Sequence, residues 1–172
     1  MSAQDVILGA RVAHVRELKA EIERLRAANA RLSDESAALQ AHFDLALVAA
    51  AELRGLPEGG RLVIVDGWNQ ILGTSRTAHD RGELYDQWRR HLADHPLDRV
   101  WIVLDGRDEN VRNEDRLRIS YTGGSGLHRA DRFVCDFLRM ARYLDLAGRI
   151  EVRTGDRDFR REALRLGASC PA

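Results

Sequence analysis

The sequence predicts an α/β domain, a three-layer α/β/α arrangement around a mainly parallel sheet, preceded by a long coiled-coil helix. Three observations carry this prediction. Leu62, Val63, Ile64 and Val65 form a wholly apolar run rich in β-branched residues, and residues 100–104 (Val-Trp-Ile-Val-Leu) form a second. Runs apolar on both faces belong to buried parallel strands. Helical patterns alternate with these runs over short connections, as in βαβ units. Residues 4–54 contain no proline and only Gly9 among glycines, a length no single-layer domain helix needs.

The N-terminal helix comes first. Ser2 and Asp5 resemble a capping box. Leu18, Leu25, Leu32 and Leu39 recur every seven residues, with Val15, Ile22, Asn29, Ser36 and Phe43 at the complementary positions. This is a heptad with leucine at d, and it predicts a parallel homodimer through this helix. Asn29 at an a position pairs with its mate there and sets the register. Glu21 at g and Arg26 at the following e form an interhelical ion pair in the same arrangement. A single amphipathic helix on the chain's own domain, an antiparallel pair, or a hairpin broken near Ser33 are the alternatives. Residues 46–53 are rich in alanine, and either continue the helix or dock on the next domain. Gly55, Pro57, Gly59 and Gly60 then read as a stop and a linker. The predicted organisation is a helix over 1–55, a linker over 56–60 and a globular domain over 61–172.

Within that domain the first strand ends in Asp66-Gly67-Trp68-Asn69, and residues 69–73 read as a loop or a helical turn. Residues 80–92 read as a helix with Leu84, Trp88 and Leu92 on one face. The second strand ends in Asp105-Gly106. Residues 107–115 are polar and read as a loop, and residues 117–121 alternate like a half-exposed strand. A glycine-rich loop at 122–126 leads into a helix over 127–146 with a wide apolar stripe. Asp131 lies near its start, where the macrodipole favours a carboxylate. A weaker strand at 150–154 ends in Gly155-Asp156-Arg157-Asp158.

Composition narrows the function. The 172 residues carry 27 Lys+Arg against 27 Asp+Glu, and Lys19 is the only lysine, so no global field points to nucleic acid or to a membrane. Cys135 and Cys170 stand far apart without a CxxC pattern, which suggests a reducing, cytoplasmic setting. No stretch reads as a signal peptide or a membrane span. The glycine-rich loop lacks the GK[ST] ending of a phosphate-binding loop, no G-x-G-x-x-G follows the first strand, and no G-x-S-x-G is present. The six histidines show no paired-ligand spacing.

Parallel strands gather Asp66, Asp105, Asp156 and Asp158 at one edge of the sheet, the edge where α/β folds bind ligands. Carboxylates brought together repel one another, and a divalent cation compensates them. An all-oxygen set suits Mg²⁺ or Mn²⁺. Asp66 is the expected central ligand, Asp156 and Asp158 bind directly or through water, and Asp131 faces them. Asn69 holds a water or a phosphate oxygen. Asp105 is either a supporting group or a strand-end turn residue.

These segments, Asp66-Gly67-Trp68-Asn69, Leu104-Asp105-Gly106, Ala130-Asp131-Arg132-Phe133 and Thr154-Gly155-Asp156-Arg157-Asp158-Phe159, occur in the order found in the NYN family of PIN-like nucleases. The chain resembles its YacP-like subgroup over residues 61–168, with Trp68 where tyrosine is common. The resemblance implies a PIN-like fold and a metal-dependent endoribonuclease, with Asp66, Asp131, Asp156 and Asp158 as metal-binding acids and Asn69 beside them. RNA is then the partner. The alternative is a non-catalytic RNA-binding or adaptor module of the same fold, dimerised by its coiled coil.

Overall fold

The computed structural model describes residues 3–73, 78–107, 109–123 and 128–171, with the side chains of 3–13, 38, 41 and 42 left aside. The Ser2–Asp5 capping box, residues 124–126 of the glycine-rich loop and the helix start at Leu127 lie outside the described residues. In chain order the elements are α1 (Ala3–Arg54), β1 (Leu62–Asp66), α2 (Gly67–Leu72), α3 (Arg81–Asp94), β2 (Arg99–Leu104), β3 (Glu109–Glu114), β4 (Leu117–Thr122), α4 (Arg129–Tyr143), β5 (Ile150–Arg153) and α5 (Arg157–Arg165). None of the described helices is long and apolar enough to cross a membrane.

The chain forms two compact units, Met1–Phe43 and Asp44–Ala172. In the first, α1 continues unbroken through Ser33 and Ser36, so the hairpin alternative does not form. Leu18, Leu25, Leu32 and Leu39 are 50–69% exposed, and Val15 and Ile22 are exposed with them. Charges along the helix pair locally, Arg24 with Glu21 and Arg26 with Glu23.

The second unit begins inside α1, not at the glycine and proline cluster where the sequence suggests a boundary. Ala49 and Leu53 are fully buried in its core. The cluster itself is docked. Arg149 donates to the carbonyls of Leu53 (3.1 Å), Pro57 (2.5 Å) and Gly60 (3.1 Å), which satisfies carbonyls at and beyond the end of α1. A Cβ on Gly60 would lie 2.3 Å from the Leu97 carbonyl oxygen, so only glycine fits there.

The sheet order is β3-β4-β2-β1-β5, with β3 antiparallel to β4 and all other pairs parallel. Alternation along the strands feeds two cores. Leu62, Ile64, Trp101, Val103, Ile150 and Val152 pack with Leu53, Phe137, Leu138 and Phe159 from α1, α4 and α5. Val63, Val65, Ile102, Leu104 and Ile119 pack with Leu84, Trp88 and Leu92 of α3 on the other face. Residues 107–115 depart from the loop that the sequence suggests. They read as a loop because they are polar, yet 109–114 form the edge strand β3, whose residues are exposed or half-buried and whose pairing with β4 supplies its order.

Two carboxylates are buried at the amino edge of the sheet. Arg61 holds both, with Nη1 2.6 Å from Glu151 and Nη2 3.3 Å from Asp98, and Arg153 adds a second contact to Glu151. This edge thereby neutralises its own acids.

Candidate active site

The strand order creates a switch point. From β1 the chain moves through β2 to β4 on one side, then returns past β1 to β5 on the other. Ligands of open α/β sheets bind at such a reversal, beyond the carboxyl ends of the two strands. Here those ends are Asp66 on β1 and Thr154 to Asp156 after β5.

Asp66 closes β1 and caps α2. Its Oδ1 accepts from the Asn69 backbone N–H at 3.1 Å, and its Oδ2 accepts from the Thr154 hydroxyl at 2.8 Å. Of the two readings for residues 69–73, a loop or a helical turn, the helical one holds: 69–72 belong to the short helix α2, capped by the aspartate. Asn69 reaches across the switch point, its Oδ1 accepting from the Gly155 N–H at 2.6 Å. Asp156 caps α5 through the N–H groups of Asp158 and Phe159 (2.8 and 2.9 Å), and its own N–H donates to Thr154 Oγ1. Thr154 thus joins Asp66 to Asp156. It opens the Thr154-Gly155-Asp156-Arg157-Asp158 segment of the sequence, and its linking role is a tertiary feature.

Asp131 sits in the first turn of α4, a quarter exposed, with Oδ2 3.1 Å from His128 Nδ1. His128 has φ of 55°, a left-handed conformation rarely adopted by non-glycine residues, and gives α4 no side-chain cap. Asp105 supplies the missing acceptor from the end of β2: its Oδ1 takes the Ala130 N–H at 2.7 Å and the Thr122 hydroxyl at 3.2 Å. Asp105 therefore anchors α4. Asp158 is 89% exposed and pairs with Arg161 at 3.3 Å.

Electrostatics shows which acids meet. Burial pushes the Asp66 carboxyl up to about 6, the hydrogen bonds from Thr154 and Asn69 pull it back, and the charges of Asp131 and Asp156 add to the rise. Burial likewise raises Asp131, His128 opposes this, and Asp156 and Asp105 reinforce it. Asp66, Asp131 and Asp156 thus share one field, with Asp105 behind them. A cleft of about 270 Å³ opens beside them, lined by His128, Asp131, Arg132, Arg139, Asp156 and Asp158 among others. Two arginines of β4 and the turn before it lie at the opposite edge. Arg116 binds the carbonyls of Leu92, His95 and Asp98, and Arg118 pairs with Glu52, so neither serves the carboxyl edge.

Among the described residues, no group of three or more Asp, Glu, His or Cys side chains is placed to hold a metal ion. Mg²⁺ typically takes one or two carboxylates and fills its shell with water and phosphate oxygens. No family model matches the chain, and no curated protein or solved structure matches it either.

Proposed function

We propose that the second unit is a PIN-like, metal-dependent endoribonuclease whose site lies at the switch point between β1 and β5. The observation that carries this reading is geometric: Thr154 bridges Asp66 and Asp156 at the switch point, beside the cleft that Asp131 and Asp156 line, and no cationic side chain pairs with Asp66 among the described contacts. Asp66, Asp131 and Asp156 would hold Mg²⁺ or Mn²⁺, with Asp158 reaching it through water. The bound cation supplies water activation and stabilises the leaving oxygen of a phosphodiester. Thr154 and Asn69 fix the Asp66 carboxylate, Asp105 and His128 set the start of α4 that carries Asp131, and Arg132 faces the entering phosphates.

The N-terminal helix pairs two copies in parallel. In any antiparallel register an a residue faces a d residue, so Asn29 would meet a leucine. Only the parallel, in-register pair gives Asn29 its own amide as partner, and it also sets Glu21 against Arg26. The protein acts in the cytoplasm in this reading.

The second reading is the non-catalytic RNA-binding adaptor, and the helix-capping duties of Asp105 and Asp156 favour it. Titration of Mn²⁺ against wild type and Asp66→Asn, with free ion followed by electron paramagnetic resonance, separates the two. The nuclease reading expects saturable binding that the substitution weakens at least tenfold. Absence of saturable binding to the folded wild type would leave the adaptor.

A further inference from the structure

The geometry points to a base-stacking platform, made by Trp68, Arg81 and Tyr121, that holds one unpaired nucleobase of a single-stranded substrate beside the acidic edge. The inference rests on the nuclease reading for its substrate class, and deepens it.

The platform is built from three elements. Trp68 is the second residue of α2, two residues beyond Asp66. Its indole N–H donates to the Asp105 carbonyl at 2.7 Å, which ties the ring to the end of β2. Tyr121 lies near the end of β4, and its ring is packed so closely on Gly106 that a Cβ there would fall 2.9 Å from Cδ1. Its hydroxyl is held 2.9 Å from that of Tyr85. Both rings are half-buried and fixed by contacts at their rims.

Arg81 opens α3 and lies over both rings, with Cζ 5.2 Å from the Trp68 centroid and 5.9 Å from that of Tyr121. It is exposed and no carboxylate among the described residues pairs with it. Its neighbours contrast with it, since Arg89 and Arg112 are both engaged by Glu114. A guanidinium spread on two aromatic rings, with no anion among the described residues, is a planar cation ready for a base face or a phosphate. Alternating aromatic and arginine surfaces grip single strands through stacking, with little sequence preference. The Asp105 backbone carries Trp68 while its carboxylate anchors α4, so the platform and the acids share one strand end.

The test is a short single-stranded RNA with one 2-aminopurine, bound in EDTA so that no cleavage intervenes. Wild type and Trp68→Phe quench the fluorophore, because either ring stacks. Trp68→Leu and Arg81→Gln bind about tenfold more weakly and lose most of the quench. Arg81 is exposed, so its variant keeps the fold even if Trp68→Leu does not. The same strand in DNA form binds wild type comparably, because stacking does not read the 2′-hydroxyl. Unchanged affinity and quench in both variants, or a wild type that does not quench, would overturn the platform. Cleavage with Mn²⁺ is read separately. Quenching without cleavage removes the nuclease reading and leaves the platform, and cleavage with unaltered binding in both variants does the reverse.

Discussion

Replacing Asp66 with asparagine should stabilise the metal-free protein. The carboxyl is raised from 3.8 to about 6, chiefly by burial. A carboxyl whose folded pKa exceeds its unfolded value binds more protons in the folded state. Its favourable contribution is complete below pH 3.8 and is lost as pH rises through about 6. Above that the ionised group costs the fold roughly 3 kcal/mol. Asparagine keeps the local bonds: its carbonyl accepts from the Asn69 N–H, and its amide donates to the Thr154 oxygen. Asp66→Asn should therefore gain about 3 kcal/mol at pH 8, roughly 10 °C in melting temperature, and almost nothing at pH 4. Urea melts of both proteins in EDTA across pH 4–8 measure this. Mn²⁺ should narrow the difference, because at a hundred times the wild-type Kd it stabilises wild type by about 2.7 kcal/mol and the more weakly binding variant by less. A variant no more stable than wild type at pH 8, or a difference that does not vary with pH, would refute the electrostatic reasoning.

Thr154→Val removes one donor to Asp66 and the acceptor of the Asp156 N–H. It should cost about 1–2 kcal/mol in denaturant melts and move the Asp66 titration, followed by NMR of the carboxyl carbon, to higher pH. Asp105→Ala leaves the Ala130 N–H without its acceptor and should destabilise by about 1–2 kcal/mol, seen as faster amide exchange in the first turn of α4; unchanged exchange there would remove its anchoring role. Leu25→Asp with Leu32→Asp should convert a dimer to a monomer in sedimentation equilibrium, and Asn29→Val should raise stability while admitting higher oligomers. A monomeric wild type at high micromolar concentration would contradict the pairing.

Much of the fold was legible because burial leaves a local trace. The runs at 62–65 and 100–104 are apolar on both faces, and they became the central strands β1 and β2. The helix over 80–92 showed its Leu84, Trp88 and Leu92 row, and it forms one residue from the expected start. β3 was not legible, since an exposed edge strand buries nothing and carries no alternation. The docking of residues 44–60 was half legible: Ala49 and Leu53 are apolar, but the clasp comes from Arg149, distant in sequence. At the site, aspartates at strand ends stood out, whereas the strand order that makes β1 and β5 neighbours is a tertiary fact. The same limit hid the role of Asp105, whose partners are the N–H of Ala130 and the hydroxyl of Thr122. Asp158 matched a motif position, and the fold leaves it exposed at the cleft and paired with Arg161.

Cleavage of end-labelled single-stranded RNA with Mn²⁺, Mg²⁺ or EDTA, by wild type and Asp66→Asn side by side, tests the central claim most directly. The account predicts cutting with either ion, none in EDTA, a loss of at least a hundredfold in the variant, and product ends free of 2′,3′-cyclic phosphate, because water and not the 2′-hydroxyl attacks. A folded wild type that cuts nothing under any of these conditions, or cutting that survives both EDTA and the substitution, would contradict it.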